Sequence, residues 1–171
     1  TDVTGVQTCA LPISCPSFIS YKHRNGLLEG SSKVFFVGDV HSRWKFFEDI
    51  TTGISQGSTV TYAAMQIAFY MGFERVFLIG VDHNFAQKGT PHKVETMKGD
   101  DTSHFDPDYF KGLKWQLPDL EGSEKAYSLA KLHFEKNNRY IMDATVEGKL
   151  TIFPKIRFEE ALNNAKKKTR Q

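Results

Sequence analysis

From Ser58 onward the apolar residues recur with a helical period. Val60, Ala63, Ala64, Ile67, Ala68 and Met71 fall at i, i+3, i+4, i+7, i+8 and i+11, one apolar stripe of an α-helix. Ser58 or Thr59 supplies the N-cap oxygen, and Gly72 stands where a left-handed residue ends a helix. Residues 32–37, S-K-V-F-F-V, are β-branched and aromatic and run into Gly38, which predicts a strand. Residues 75–82, R-V-F-L-I-G-V-D, form an apolar run that does not alternate, as in a parallel strand covered on both faces.

Residues 83–122 are then a long excursion rich in Gly, Pro, Asp, His and aromatic residues. Connections of that length are uncommon and often act as lids. A second helix is predicted over 123–136, with Ala126, Leu129, Ala130 and His133 on one face and Asn137-Asn138 at its end. A short strand over 139–142 closes on Asp143-Ala144-Thr145, and a last helix spans 158–167. Strands alternating with helices predict an α/β fold: a Rossmann-like open, mostly parallel sheet with flanking helices and a lid-like excursion. In such sheets ligands bind beyond the carboxyl ends of the strands. Asp39, Ser58, Asp82 and Thr145 are therefore expected around one cleft.

Composition narrows the class. The formal charge of +2 over 171 residues gives no basic field for nucleic acid, and 40% apolar content suffices for a core. No apolar run approaches the roughly 20 residues of a membrane helix. Residues 3–13, V-T-G-V-Q-T-C-A-L-P-I, read as the in-frame translation of a common sequencing adapter. The expectation is a disordered artefact over residues 1–14, from draft or environmental DNA. Residues 15–171 are then the C-terminal part of one longer α/β domain. Cys9 falls within that string, so Cys15 is the one native cysteine, which fits a reducing cytoplasm.

Candidate chemistry gathers at the predicted strand and helix ends. The entry to the first helix, residues 53–59 with Gly57, Ser58 and Thr59, offers small residues, hydroxyls and a positive dipole end to a phosphate. An ordinarily capped helix is the alternative, and neither a Walker motif nor a dinucleotide fingerprint is present. Asp82 ends a strand, where a carboxylate accepts ribose hydroxyls, holds a metal or simply forms a turn. His83 and Asn84 follow it, and the excursion holds His92, His104, Asp106, Asp108, Tyr109 and Trp115. A histidine is the usual general base and lid aromatics stack on bases or sugars, so His104 is the first candidate base, with His83 and His92 next. A structural role for His104 is the rival. No paired spacing suggests zinc.

Three stretches resemble a known family. Residues 57–85, G-S-T-V-T-Y-A-A-M-Q-I-A-F-Y-M-G-F-E-R-V-F-L-I-G-V-D-H-N-F, are similar to the central motif of the 6-hydroxymethylpterin diphosphokinase MptE-like family. Residues 104–110 with Lys114-Trp115 resemble its second motif, and Asp143-Ala144-Thr145 its third, so the resemblance runs over about residues 21–162. It implies a cytoplasmic nucleotide-dependent transferase with catalytic roles for His104 and Asp82. Gly57, Ser58, Thr59, Asp143 and Thr145 would contact nucleotide or phosphate. His83, Asn84, Asp108, Tyr109 and Trp115 would line the substrate side and lid. The family includes diphosphokinases that use ATP and a pterin, and bacterial proteins of flagellin and surface-polysaccharide glycosylation. Its core is similar to sialyltransferases that use a lid histidine as base and tyrosines to assist phosphate departure. Here Asn84 stands in place of the first such tyrosine. The reading is a glycosyltransferase-like enzyme of lipopolysaccharide or other surface glycan assembly, with a nucleotide-activated donor and a glycan acceptor. One alternative is a pterin diphosphokinase with Asp82 and Asp39 on Mg²⁺; another is a non-catalytic binding module.

Overall fold

The computed structural model describes residues 16–24, 33–42, 44–84, 89–96 and 114–167. The expectations for residues 1–14 lie outside them. Helices and small parallel sheets are mixed along the chain, the α/β arrangement expected from the alternation. Strand β1 (Ser17–Ser20) pairs in parallel with β2 (Val34–Val37), with Ser17 opposite Val34 and Ser20 opposite Val37. Beyond β2, Asp39 makes a parallel bridge to Ile54, which leads into helix α1 (Val60–Tyr70). Strand β3 (Arg75–Leu78) pairs in parallel with β6 (Tyr140–Asp143), and helix α2 (Leu120–Lys136) precedes β6. Helix α3 (Phe158–Lys167) closes the described chain.

Helix α1 buries the side opposite to the expected stripe. Its buried residues are Tyr62, Met65, Gln66 and Phe69, whereas Val60 is 83% exposed and Ala64 and Met71 are also exposed. The two sets lie about half a turn apart. The helix is apolar on nearly every side, so periodicity alone does not choose a face. Tyr62 and Phe69 go inward while Tyr70 stays exposed, and Gln66 joins the buried side because its amide is fully hydrogen-bonded. The caps follow expectation: Thr59 Oγ1 accepts from the Thr61 amide, and Gly72 takes φ +82°.

Strand β3 stops four residues short of its expected end. Gly80 at φ +71° turns the chain, and Ile79 is exposed. Helix α2 starts three residues early, because Asp119 is its N-cap and accepts from the Gly122 amide at 2.9 Å. Of its expected face, Ala126 and Ala130 are buried, joined by Tyr127 and Phe134. The core unites Phe46, Tyr62, Met65 and Phe69 with that face of α2 and with Leu78, Ile141, Leu150 and Phe153. Rings meet edge-on there, as Phe46 does with Phe69 at 5.3 Å and Phe69 with Phe134 at 5.2 Å.

The excursion has a structured stem. Strands β4 (Val94–Thr96) and β5 (Lys114–Gln116) form an antiparallel ladder with Glu95 opposite Trp115. Buried Leu117 follows, exchanging backbone hydrogen bonds with His92 and Lys93, and Asp119 then opens α2. Among the described residues no helix is long and apolar enough to cross a membrane.

Candidate functional site

A cleft of about 820 Å³ opens where β1 and β2 end and α1 begins. That volume suits a nucleotide-sized ligand. One wall is the 3₁₀ turn after β1, carrying Tyr21, Lys22 and Arg24. The floor is Gly38 and Asp39 after β2. The helix entry, Ser55 to Ser58, and His92 also line it. This is the carboxyl end of a parallel pair, the position the fold rule favours for ligands.

Asp39 is held from two sides. Ser20 Oγ donates to one carboxylate oxygen, and Gln56 Nε2 donates to the other at 3.1 Å. Lys22, Arg24, His41 and His92 also line the cleft. Among the described residues, neither Lys22 nor Arg24 pairs with a carboxylate. Arg24 lies over the Tyr21 ring, 4.2 Å from its centroid, and reaches the Tyr21 carbonyl at 3.5 Å. Two permanent cations facing one carboxylate favour an anionic ligand.

The helix entry is braced from behind. Gln66, fully buried in α1, accepts from the Phe47 and Ser55 amides and donates to the Ser55 and Tyr62 carbonyls. Ser55 Oγ donates to the Ser42 carbonyl at 2.5 Å. Gly57 has φ +51°, and a Cβ there would run into the Tyr62 ring and lie 2.8 Å from Ala126 Cβ. Packing of α1 against α2 therefore explains this glycine without a ligand. Ser58 also takes a left-handed φ of +68°, and its hydroxyl donates to Asp119 Oδ2 at 3.1 Å.

Asp119 is the hub behind the cleft. His92 Nε2 lies 3.3 Å from the same Oδ2, and the Asp119 side chain is 12% exposed. Burial pushes its carboxyl up. The Gly122 amide, the Ser58 hydroxyl and His92 together outweigh that and hold it below the ordinary carboxylate value.

The expected site residues divide into separate groups. Gly57 and Ser58 line the cleft, as Asp39 does. Thr59 faces Tyr127, with its Oγ1 3.4 Å from the phenol oxygen. Asp82, Asp143 and Thr145 do not line the cleft. The Asp82 carbonyl accepts from the Lys149 amide, and Asp82 itself is exposed. Thr145 Oγ1 accepts from the Val81 amide at 3.1 Å. Asp143 is 0% exposed; its carboxylate accepts from Lys155 Nζ at 2.5 Å and from the Thr145 amide at 2.8 Å. His83, with φ +53° and an 8% exposed side chain, meets Glu124 Oε1 at 3.0 Å beside Tyr127. Asn84 is exposed. Trp115 is placed only by its backbone in β5. His104, Asp108 and Tyr109 lie outside the described residues. No group of three His, Cys, Asp or Glu side chains among the described residues forms a metal cluster.

Lys22, Arg24 and Asp119 are candidate site residues beyond the sequence expectation, whereas Gln56 lies within the expected helix entry. Asp119 had a signal, since an aspartate immediately before an apolar helical run is a cap. The two cations had none, because they follow a four-residue strand with no period to read.

Compared with protein-family models, curated proteins and solved structures, the chain matches none.

Proposed function

We propose that this chain is a nucleotide-dependent transferase that binds a nucleotide-activated sugar in the cleft and passes the sugar to a glycan hydroxyl. On this reading the two parallel strand pairs belong to one Rossmann-like open sheet, and the protein works in the cytoplasm on surface glycan precursors. The carrying observation is the position of the cleft: a cavity of nucleotide size at the carboxyl ends of β1 and β2, against the entry of α1. The motif resemblance of residues 57–85 supplies the sugar-transfer chemistry.

In the proposed reaction the acceptor oxygen bonds to the anomeric carbon as the bond from that carbon to the phosphate oxygen breaks. The phosphate leaves with the electron pair, and the acceptor proton goes to a base. The cations of the cleft stabilise the departing charge. Among the described histidines at the cleft, His92 is oriented by a carboxylate, which suits it to receive that proton. Asp39 is the observation that favours the second reading, diphosphate transfer to a pterin, since it is the carboxylate that faces the cleft and would meet Mg²⁺.

Titration calorimetry with nucleosides, their mono- and diphosphates and their sugar esters tests the proposal, with and without Mg²⁺. Saturable binding of a nucleotide or sugar nucleotide is expected in the range of about 1 μM to 1 mM. Binding that needs Mg²⁺ and selects ATP turns the reading to diphosphate transfer. Absence of binding by every nucleotide overturns both.

A further inference from the structure

We propose that Lys22 and Arg24 are the phosphate-gripping residues of the cleft, so that the affinity added by a phosphoryl group depends on these two cations. This rests on the nucleotide reading in placing the ligand in that cleft. Both residues belong to the short turn that begins directly after β1. They therefore stand at the carboxyl end of a strand and line the same cavity as the residues that enter α1.

Two features argue against ordinary solvated surface charge. First, both cations line the same open cleft, and among the described residues neither has a carboxylate partner. The acid facing them, Asp39, already accepts from Ser20 and Gln56. Second, Arg24 is held in place. Its guanidinium lies over the Tyr21 ring at 4.2 Å, and its contact to the Tyr21 carbonyl leaves most of the planar fork for an anion. Arginine offers paired donors to two phosphoryl oxygens, and lysine adds a point charge on a flexible stem. The cavity is also lined by Ser55 to Ser58, which lead into the eleven-residue helix α1. A phosphoryl group in the cavity meets both cationic donors and the residues that enter the helix.

The test compares the wild-type chain with Lys22→Gln, Arg24→Gln, the double variant and Arg24→Lys. The probes are inorganic pyrophosphate, a nucleoside diphosphate and the matching nucleoside, each titrated at low and high salt. Both side chains are exposed, so thermal midpoints should match the wild type. Each neutralised cation is expected to weaken diphosphate and pyrophosphate roughly tenfold and to leave the nucleoside unchanged. Arg24→Lys should fall between, because charge is kept and the fork lost. Salt should weaken phosphate binding by the wild type and much less by the double variant. If pyrophosphate binding depends on both cations while the nucleoside moiety adds nothing, the inference stands and the nucleotide reading fails. If a nucleotide binds equally well to wild type and double variant, the inference is overturned and the reading survives.

Discussion

Gln66 shows how one polar side chain can position a site it never touches. Its oxygen takes two amide protons and its nitrogen serves two carbonyls, so a fully buried amide is satisfied on all sides. Three of those four partners belong to Phe47 and Ser55, in the segments flanking the helix entry. Replacing Gln66 by Leu keeps the volume roughly constant and strands these buried backbone groups. The expected loss is about 3 kcal/mol or more, since each unsatisfied group costs about 1–3 kcal/mol. Chemical denaturation measures it. An unchanged midpoint would mean that water replaces the amide and that Gln66 is not the brace. Tyr62, one turn earlier, is the opposite case. Its hydroxyl is buried without a hydrogen-bond partner among the described residues, and burial pushes its ionisation far up. Gln66 was visible in the sequence as a polar residue within the predicted helix. Which face it occupied was not, because α1 carries apolar residues all round and the stripe of small residues competed with the buried aromatic one.

At the scale of elements, the excursion was legible as an insertion but not as a ladder. Strands β4 and β5 have three residues each, too few for alternation to stand out. Their function is to bring His92 and Asp119 together at the start of α2, where Ser58 from the α1 entry also arrives. Asp119 therefore joins three elements, and its acidity reports on the joint. Its folded value lies below the ordinary 3.8 because the hydrogen bonds outweigh burial. A depressed folded value contributes stability that is present above the unfolded value and lost as pH falls through the folded one. The wild type should thus begin to lose this contribution as pH falls past the ordinary carboxylate value and lose all of it below the folded one. Asp119→Asn should abolish that step while keeping most of the cap, because Asn caps helices about as well as Asp. Asp119→Ala should cost about 1–2 kcal/mol at neutral pH, the usual value of a lost N-cap. Thermal melts of the three proteins across pH 2–7 separate these outcomes. If wild type and Asp119→Asn follow one curve, the carboxylate is not coupled to folding.

For the whole molecule, the strand ends form two groups on either side of the first turns of α2. Asp119 meets Ser58 on one side, and Glu124 meets His83 on the other, about 7.5 Å further along the helix. The first group opens into the cleft. The second is occupied by its own contacts: Thr145 with Val81, Asp82 with Lys149, and Asp143 with Lys155. The order of elements was enough to expect candidate residues at strand ends, because ligands of open parallel sheets bind there. Which group stays open depends on side-chain partners such as Lys155, twelve residues after Asp143, and no local pattern announces them. The division separates two otherwise similar aspartates. Asp39 lines the cleft, whereas exposed Asp82 lies outside its lining, where solvent and salt screen its charge over about 8 Å. Asp82→Asn should therefore change the affinity for a phosphate-bearing ligand by less than about twofold. Gln56→Ala should weaken it by about 0.5–1.5 kcal/mol, because Gln56 both lines the cleft and fixes Asp39. Calorimetric titration of both variants, with thermal midpoints as a folding control, decides the matter. A tenfold loss in Asp82→Asn at an unchanged midpoint would mean that the ligand reaches from β2 to β3, and that both strand groups form one site after all.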